Sequence, residues 1–226
     1  MKNLTLIIPA KKEKESLFKV LDELKPYNFK IVVILEKEDL ETIETIETIQ
    51  NKNCEILYQI NKGYGDALIQ GINHIEDELF CIFNADGSFN PSEINNMIQI
   101  LDKNNADFVF ASRYEKNCSS EDDTLITFVG NFIFTKIGNI FFKIKITDIL
   151  YTFVLGKTQK IKNLNLKSKD FVFCVELPIK ANRNNLKLVT SKSNERPRIG
   201  GVKKPNAFKD GFKILFGMIK LFFKVS

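Results

Sequence analysis

The stretch LFCIFNADGSFNP, residues 79–91, sets the reading of the whole chain. Leu79 to Phe83 are five consecutive apolar residues, the pattern of a strand buried on both faces. The run stops in Asn84, Asp86, Gly87 and Ser88, all able to supply oxygen or a tight turn. One reading is a divalent-cation site, with Asp86 as the carboxylate ligand, Asn84 lending an amide oxygen and Ser88 a hydroxyl. The other is a plain Asx turn, for which Asn-x-Asp-Gly is well suited. Both put a strand end at Phe83. The octapeptide by itself does not separate them.

Working outward, the same strand-then-helix alternation recurs on both sides. Upstream, NLTLIIP (3–9) reads as a buried strand, and residues 11–24 carry Leu17, Val20, Leu21 and Leu24 at helical spacing. KIVVIL (30–35) is a second strand. The ETIETIETI repeat then places Leu40, Ile43, Ile46 and Ile49 along one stripe of a helix. CEILYQI (54–60) is a third strand, followed by the turn NKGYG and a further helix. Downstream, Pro91 is expected to open a helix through Leu101, and DFVFASRY (107–114) to form a fifth strand. Such alternation predicts an α/β layered domain whose central sheet is mostly parallel and flanked by helices. Ligands of such sheets bind beyond the carboxyl ends of the strands. Glu13, Glu36, the NKGYG turn, Asp86 and Arg113 all fall there.

Four cysteines lie far apart without a CxxC pair, which indicates neither a zinc site nor a disulfide framework and favours a reducing compartment. Met1-Lys2-Asn3 runs directly into the first strand, with no leader pattern. The net charge of +5 is uneven. From Lys180 onward there are twelve Lys or Arg against two acids, so the tail carries +10 and the first 179 residues −5. A basic end on an acidic body suits a polyanionic partner. Nucleic acid is disfavoured, because no RRM, KH or helix-turn-helix signature is present. The lone His74 lies inside a helix and reads as a packing or surface residue.

Two segments bear on membranes. Residues 125–142, LITFVGNFIFTKIGNIFF, are nearly long enough to span a bilayer, but Lys136 sits in the middle between Asn131 and Asn139. A helix buried in the protein or lying in the membrane interface fits better. Residues 206–226 form an amphipathic helix: Phe208, Phe212, Leu215, Ile219 and Phe222 share one face, broadened by Ile214, Met218 and Leu221. Lys209, Lys213, Lys220 and Lys224 form a ridge on another. Docking on its own domain or on a dimer partner is the rival arrangement.

The order IIPAKKE, NKGYGDALIQGI, NADGSFNP, ASRY, then ER.R.GG resembles the family 2 glycosyltransferases, most closely the dolichol- or polyprenyl-phosphate sugar transferases. The resemblance runs over residues 4–204. It implies a GT-A fold for residues 1–205, a nucleotide-diphosphate sugar donor, Mg²⁺ or Mn²⁺, and inversion at the sugar carbon. Carried over by position, it gives Pro9 and Glu13 to the nucleotide pocket, with Glu36 as the acid at the end of the second strand, where the family's Asp-Asp-Gly-Ser is missing. Lys62, Gly63, Gly65 and Asp66 join them as donor-binding residues. Asn84, Asp86 and Ser88 fall on the metal positions, with Asn in place of a first Asp. Asp86, Arg113, Asp148, Glu176 and Arg196 fall on catalytic positions. Arg113, Arg196, Arg198 and Lys203, with Lys204, are the expected cations for an acceptor phosphate. Around Asp148 the sequence reads DILYTFV, without the family's glycine and arginine.

The expected function is therefore hexosyl transfer to a polyprenyl phosphate at the cytoplasmic face of an anionic membrane, with homo-oligomers possible. A hydroxyl acceptor in surface-polysaccharide synthesis and a catalytically weak nucleotide-binding module are the alternatives.

Overall fold

The computed structural model describes residues 3–49, 52–200 and 207–223. Seven strands form one sheet: β1 (Leu4–Pro9), β2 (Lys30–Leu35), β3 (Cys54–Tyr58), β4 (Leu79–Ile82), β5 (Phe108–Ser112), β6 (Val154–Lys157) and β7 (Leu188–Lys192). Their order is β3-β2-β1-β4-β6-β5-β7. Only β6 runs antiparallel, pairing Cys81 with Leu155 on one side and Val109 with Leu155 on the other. This strand breaks an otherwise parallel sheet and brings its own leading segment, Asp148–Phe153, to the edge where the other strands end.

Among the described residues, eight α-helices accompany the sheet: α1 (Lys14–Leu24), α2 (Leu40–Ile49), α3 (Tyr64–His74), α4 (Glu93–Lys103), α5 (Leu125–Phe141), α6 (Thr158–Asn163), α7 (Phe173–Arg183) and α8 (Ala207–Phe223). α1, α2 and α4 close one core through Leu17, Leu21, Ile43, Ile46, Ile94 and Met97. α3, α6, α7 and α8 close the other through Leu68, Ile161, Val175, Ile214 and Met218. Leu6, Ile7 and Ile8 are fully buried because successive side chains of β1 serve opposite cores. Each such side chain contributes about 1.5–3 kcal/mol of burial.

Several elements differ from the sequence reading. α4 starts at Glu93, and Pro91 belongs to the preceding turn, where Asn90 binds the Ser92 N–H at 3.0 Å. On α2 the buried stripe is Thr42, Ile43, Thr45 and Ile46, while Leu40 is exposed. β3 and β5 are shorter at their ends than their apolar runs suggest. The cysteines are unpaired, with Cys81 and Cys174 buried.

α5 is inverted relative to a core helix. Its buried residues are Asn131, Thr135 and Gly138, whereas Leu125, Ile126, Phe128, Val129, Phe132, Ile133, Ile140 and Phe141 are exposed. Thr135 accepts the Ile149 N–H at 3.2 Å, and Gly138 lets Ile149 approach where a Cβ would stand 2.6 Å from its Cδ1. α8 packs beside α5 and is held to the body by Ile214 and Met218. Among the described residues, no helix is long and apolar enough to cross a membrane.

Candidate active site

Because every strand but β6 points the same way, the segments after β1, β2, β3, β4, β5 and β7 emerge on one edge of the sheet. The Asn84–Ser88 turn lies at the centre. Behind it Phe83 and Phe89, the residues flanking the turn, pack on Phe153 at 5.5 and 4.6 Å, and Phe89 meets Tyr151 at 5.0 Å. These rings are buried and fix both ends of the turn.

Within the turn Asp86 divides its oxygens. Oδ1 accepts the N–H of Ser88 at 3.0 Å and its hydroxyl at 2.7 Å. This is the Asx turn. Oδ2 lies 3.1 Å from Nη2 of Arg198, so the second oxygen holds a positive charge. The Asx-turn reading accounts for Oδ1, and Oδ2 is paired with Arg198.

Arg198 arrives on a strap, Glu195–Gly200, that crosses the turn after β7. The N–H of Arg196 donates to Ser88 O at 2.9 Å and that of Ile199 to Asp86 O at 2.8 Å. Gly87, at φ +82°, has no Cβ to collide with Ile199, whose Cδ1 would stand 2.3 Å away. A side chain at Gly87 would lift the strap.

Arg113 sits beneath this strap. It is 8% exposed, and its guanidinium binds Asp148 through Nε at 2.7 Å and Nη2 at 3.1 Å. Nη1 reaches Glu195 at 3.1 Å and Asp123 at 3.4 Å, and the group stacks over Tyr151 at 4.5 Å. Burial alone would lower the pKa of Arg113, but Asp148 and Glu195 outweigh it and hold it well above the usual value. Burial in turn raises Glu195 above the ordinary carboxylate range despite Arg113 and Ser120. Arg113 thus ties β5, the Asp148 segment and the strap into one buried ionic knot.

The NKGYG turn packs closely on the chain itself. A Cβ on Gly63 would stand 2.1 Å from Lys169 O, and one on Gly65 2.2 Å from Ser168 O. The Asp66 N–H donates to Lys169 O at 3.0 Å. The glycines admit the backbone of the chain itself, the loop 166–170, to the start of α3. Glu176 anchors that loop: its carboxylate accepts the N–H groups of Lys167 at 3.1 Å and Ser168 at 2.7 Å, and pairs with Lys180 at 2.8 Å. It is buried on the side of α7, and its geometry is that of a positioning residue.

Comparison with known proteins decides the family. The model of glycosyl transferase family 2 matches residues 5–164. The chain belongs to this family. It is 28% identical over 204 residues, 81% of either chain, to the UDP-N-acetylglucosamine–dolichyl-phosphate N-acetylglucosaminyltransferase of Methanococcus voltae. In fold it is similar to glucosyl-3-phosphoglycerate synthase of Mycobacterium tuberculosis, solved with Mn²⁺, UDP and phosphoglyceric acid. That likeness has a TM-score of 0.69 at 9% identity and covers 98% of this chain and 79% of that one. The same enzyme solved with Mg²⁺ and UDP gives 0.67 at 9% identity, covering 97% and 79%. The fold is therefore GT-A, with the seven-stranded sheet and terminal helix described above.

Other expected residues of this family 2 glycosyltransferase spread around the same edge. Pro9 ends β1. Glu13 is buried and accepts the Ser16 hydroxyl at 2.6 Å. Glu36 pairs with Lys11 at 2.7 Å, and Lys62 is exposed in its turn. Asp66 accepts Asn61 at 3.2 Å and is bound by Gln70. Arg196 turns away to Glu23, at 2.8 Å, and to Phe89 O, at 2.7 Å. Lys203 and Lys204 lie outside the described residues. His74 pairs with Glu55 at 2.9 Å at the far end of α3, remote from the turn. Two surface depressions likewise lie at the opposite edge of the sheet, around Thr5, His74 and Asp77 and around Lys157 and Lys160.

Sequence reasoning missed Asp122, Asp123, Tyr114 and Tyr151. Asp123 binds Arg113 and accepts the Tyr114 hydroxyl at 2.6 Å, and Asp122 faces Arg198 at 3.7 Å. The only signal was the acidic run SSEDD before the apolar start of α5.

Proposed function

We propose that this glycosyltransferase moves a hexose from a nucleotide-diphosphate sugar to a polyprenyl phosphate while seated on an anionic membrane, with Mg²⁺ or Mn²⁺ held at Asp86. The dolichyl-phosphate relative and the metal- and UDP-bound structures of the same fold support the reading. The observation that carries it is the pair of helices α5 and α8. Of nineteen large apolar residues exposed among the described residues, eight lie on α5 and seven on α8. A contiguous apolar surface of this kind marks an interaction site. Lys136 over Phe132 at 5.4 Å and Lys220 over Phe216 at 5.2 Å place cations among the rings, as an anionic interface favours.

The donor atoms suit a hard cation. Among the described residues no cluster of three or more His, Cys, Asp or Glu can hold a metal, so no all-protein cage is present. Mg²⁺ commonly takes one or two carboxylates and completes its shell with water and substrate phosphate. Asp86 Oδ2 already faces a positive charge, the Ser88 hydroxyl lies 2.7 Å from Oδ1, and Asn84 stands two residues before Asp86 in the same turn. When bound, the cation neutralises charge building on the departing diphosphate.

The chain's own residues do the rest. The phosphate of the lipid is mostly dianionic at neutral pH, with a second pKa of about 6, so one of its oxygens can attack the sugar carbon without a general base. The bond from that carbon to the donor phosphate oxygen breaks, and the nucleoside diphosphate leaves. What the site must supply is positive charge and orientation. Arg198 gives the charge, and the Arg113 knot fixes the strap that carries it.

The test is turnover with UDP-sugars and Mn²⁺ on polyprenyl phosphate in anionic liposomes, with product read by mass spectrometry. A lipid-phosphate sugar is the expected product. Transfer to saccharide hydroxyls alone would replace the acceptor. Nucleotide binding without transfer to any acceptor would leave a weak binding module, the reading that Asn84 favours.

A further inference from the structure

We propose that Arg198 and a divalent cation compete for Oδ2 of Asp86, so that loading the metal lifts the strap off the turn. The inference rests on the metal reading of Asp86.

Oδ1 of Asp86 is committed to both the N–H and the hydroxyl of Ser88. Only Oδ2 remains outward, and Nη2 of Arg198 stands 3.1 Å from it. A hard divalent ion binds carboxylate oxygen at about 2.0–2.1 Å and brings its own shell of oxygens. A guanidinium has five N–H donors and no acceptor, so it cannot join that shell. It is also repelled by the ion's charge. The two cations exclude one another at this atom.

Arg198 has a second seat. Its Nε is buried without a hydrogen-bond partner, and Asp122 Oδ1 lies 3.7 Å away, just beyond hydrogen-bonding distance. A small swing toward Asp122 would satisfy Nε and vacate Asp86. The guanidinium therefore stands between two carboxylates, paired with one through Nη2 at 3.1 Å and within reach of the other.

The strap is built to move with it. Its root is fixed, because Glu195 is held by Arg113 at 3.1 Å and its N–H donates to Ser119 O at 3.1 Å. Past Arg196, whose side chain is pinned to Glu23, contact with the turn reduces to the Ile199 N–H on Asp86 O, the Ile199 side chain over Gly87 and the Arg198 pair. The sequence then continues into Gly200-Gly201. Losing the Arg198 pair removes the one charged contact in this grip.

Three variants and one exchange measurement test the competition, using the full chain. Mn²⁺ binding without nucleotide is measured by calorimetry for wild type, Arg198→Gln, Asp122→Asn and Asp86→Ala. Arg198→Gln should bind roughly two- to fivefold tighter than wild type, the scale of one partly exposed ion pair. Asp122→Asn should bind more weakly, since the displaced guanidinium loses its second seat. Asp86→Ala should not bind. In wild type, saturating Mn²⁺ should speed hydrogen exchange at the Ile199 amide, with the β1 and β4 amides unchanged. Equal or weaker Mn²⁺ binding by Arg198→Gln, or an Ile199 amide equally protected with and without Mn²⁺, overturns the competition while Asp86-dependent metal binding stands. If neither wild type nor Arg198→Gln binds Mn²⁺, the metal reading falls and the competition falls with it.

Discussion

Asp86 divides its two oxygens: Oδ1 closes the turn and Oδ2 pairs with Arg198. Asp86→Ala should abolish Mn²⁺-dependent UDP binding by calorimetry, and Asn84→Asp, by adding a second charged oxygen, should preserve or tighten it. Unchanged binding in Asp86→Ala would sink the metal assignment. Arg113 calls for a different expectation. Asp148 is fully buried and depends on this guanidinium. Arg113→Ala leaves that charge without its counter-ion and should lower unfolding free energy by about 3–5 kcal/mol in denaturant titrations. Arg113→Lys should recover only part, because the two-pronged contact is lost. A variant as stable as wild type would show that the knot is dispensable. The difference between these two residues also marks what the sequence could reveal. Asp86 and Ser88 are neighbours, so their turn was legible in NADGS. The partners of Arg113 lie 10, 35 and 82 residues away, and no local pattern announces that they meet.

At the scale of elements, the five strands up to Ser112 and their helices were legible because each is an apolar run of the right period, ended by polar turn residues. The elements between α5 and α8 (β6, α6, α7 and β7) were not. β6 has four residues, and Gly156 sits where a Cβ would stand 2.1 Å from the Phe108 ring, so its sequence VLGK carries little strand signal. α7 contains Pro178, which reads as a break. Glu176 on that helix fastens loop 166–170 against the glycines of α3. Burial opposes its ionisation, but Lys180 and the Ser168 N–H more than compensate, so its pKa lies below the ordinary value. Its contribution to stability is then complete above the unfolded-chain value of about 4.3 and is lost as pH falls through its lower native value. Glu176→Gln should destabilise the protein by about 1.5–3 kcal/mol at pH 7, the worth of hydrogen bonds to a charged acceptor. The gap from wild type should narrow at pH 3. A gap that is equal at both pH values would show that the charge is not what holds the loop.

For the whole molecule the open question is what α5 and α8 face. The sequence placed an apolar face and a lysine ridge on the last helix, but could not show that α5 lies beside it with its polar residues turned inward. Nor could it show that Ile214 and Met218 belong to the core, with Gly217 so close to Val172 that a Cβ would meet it at 2.4 Å. Deleting α8 would therefore remove core as well as surface, at about 2–5 kcal/mol for each large buried side chain lost, and would confuse unfolding with release. Substitutions confined to exposed positions separate the two. Phe132, Phe212 and Phe216 are each more than half exposed. Changing all three to Ser should leave the melting temperature within a few degrees and reduce binding to anionic liposomes by at least tenfold. Even partial insertion of a phenylalanine is worth a fraction of the roughly 1.5–3 kcal/mol for full burial, and three such losses add. Lysines near an anionic surface add about 1 kcal/mol each at most, so high salt should weaken wild-type binding without eliminating it. Flotation of the triple variant with liposomes at wild-type levels would remove the membrane from the account. A wild-type dimer that this variant dissolves, seen by light scattering, would assign the same face to a second copy of the chain.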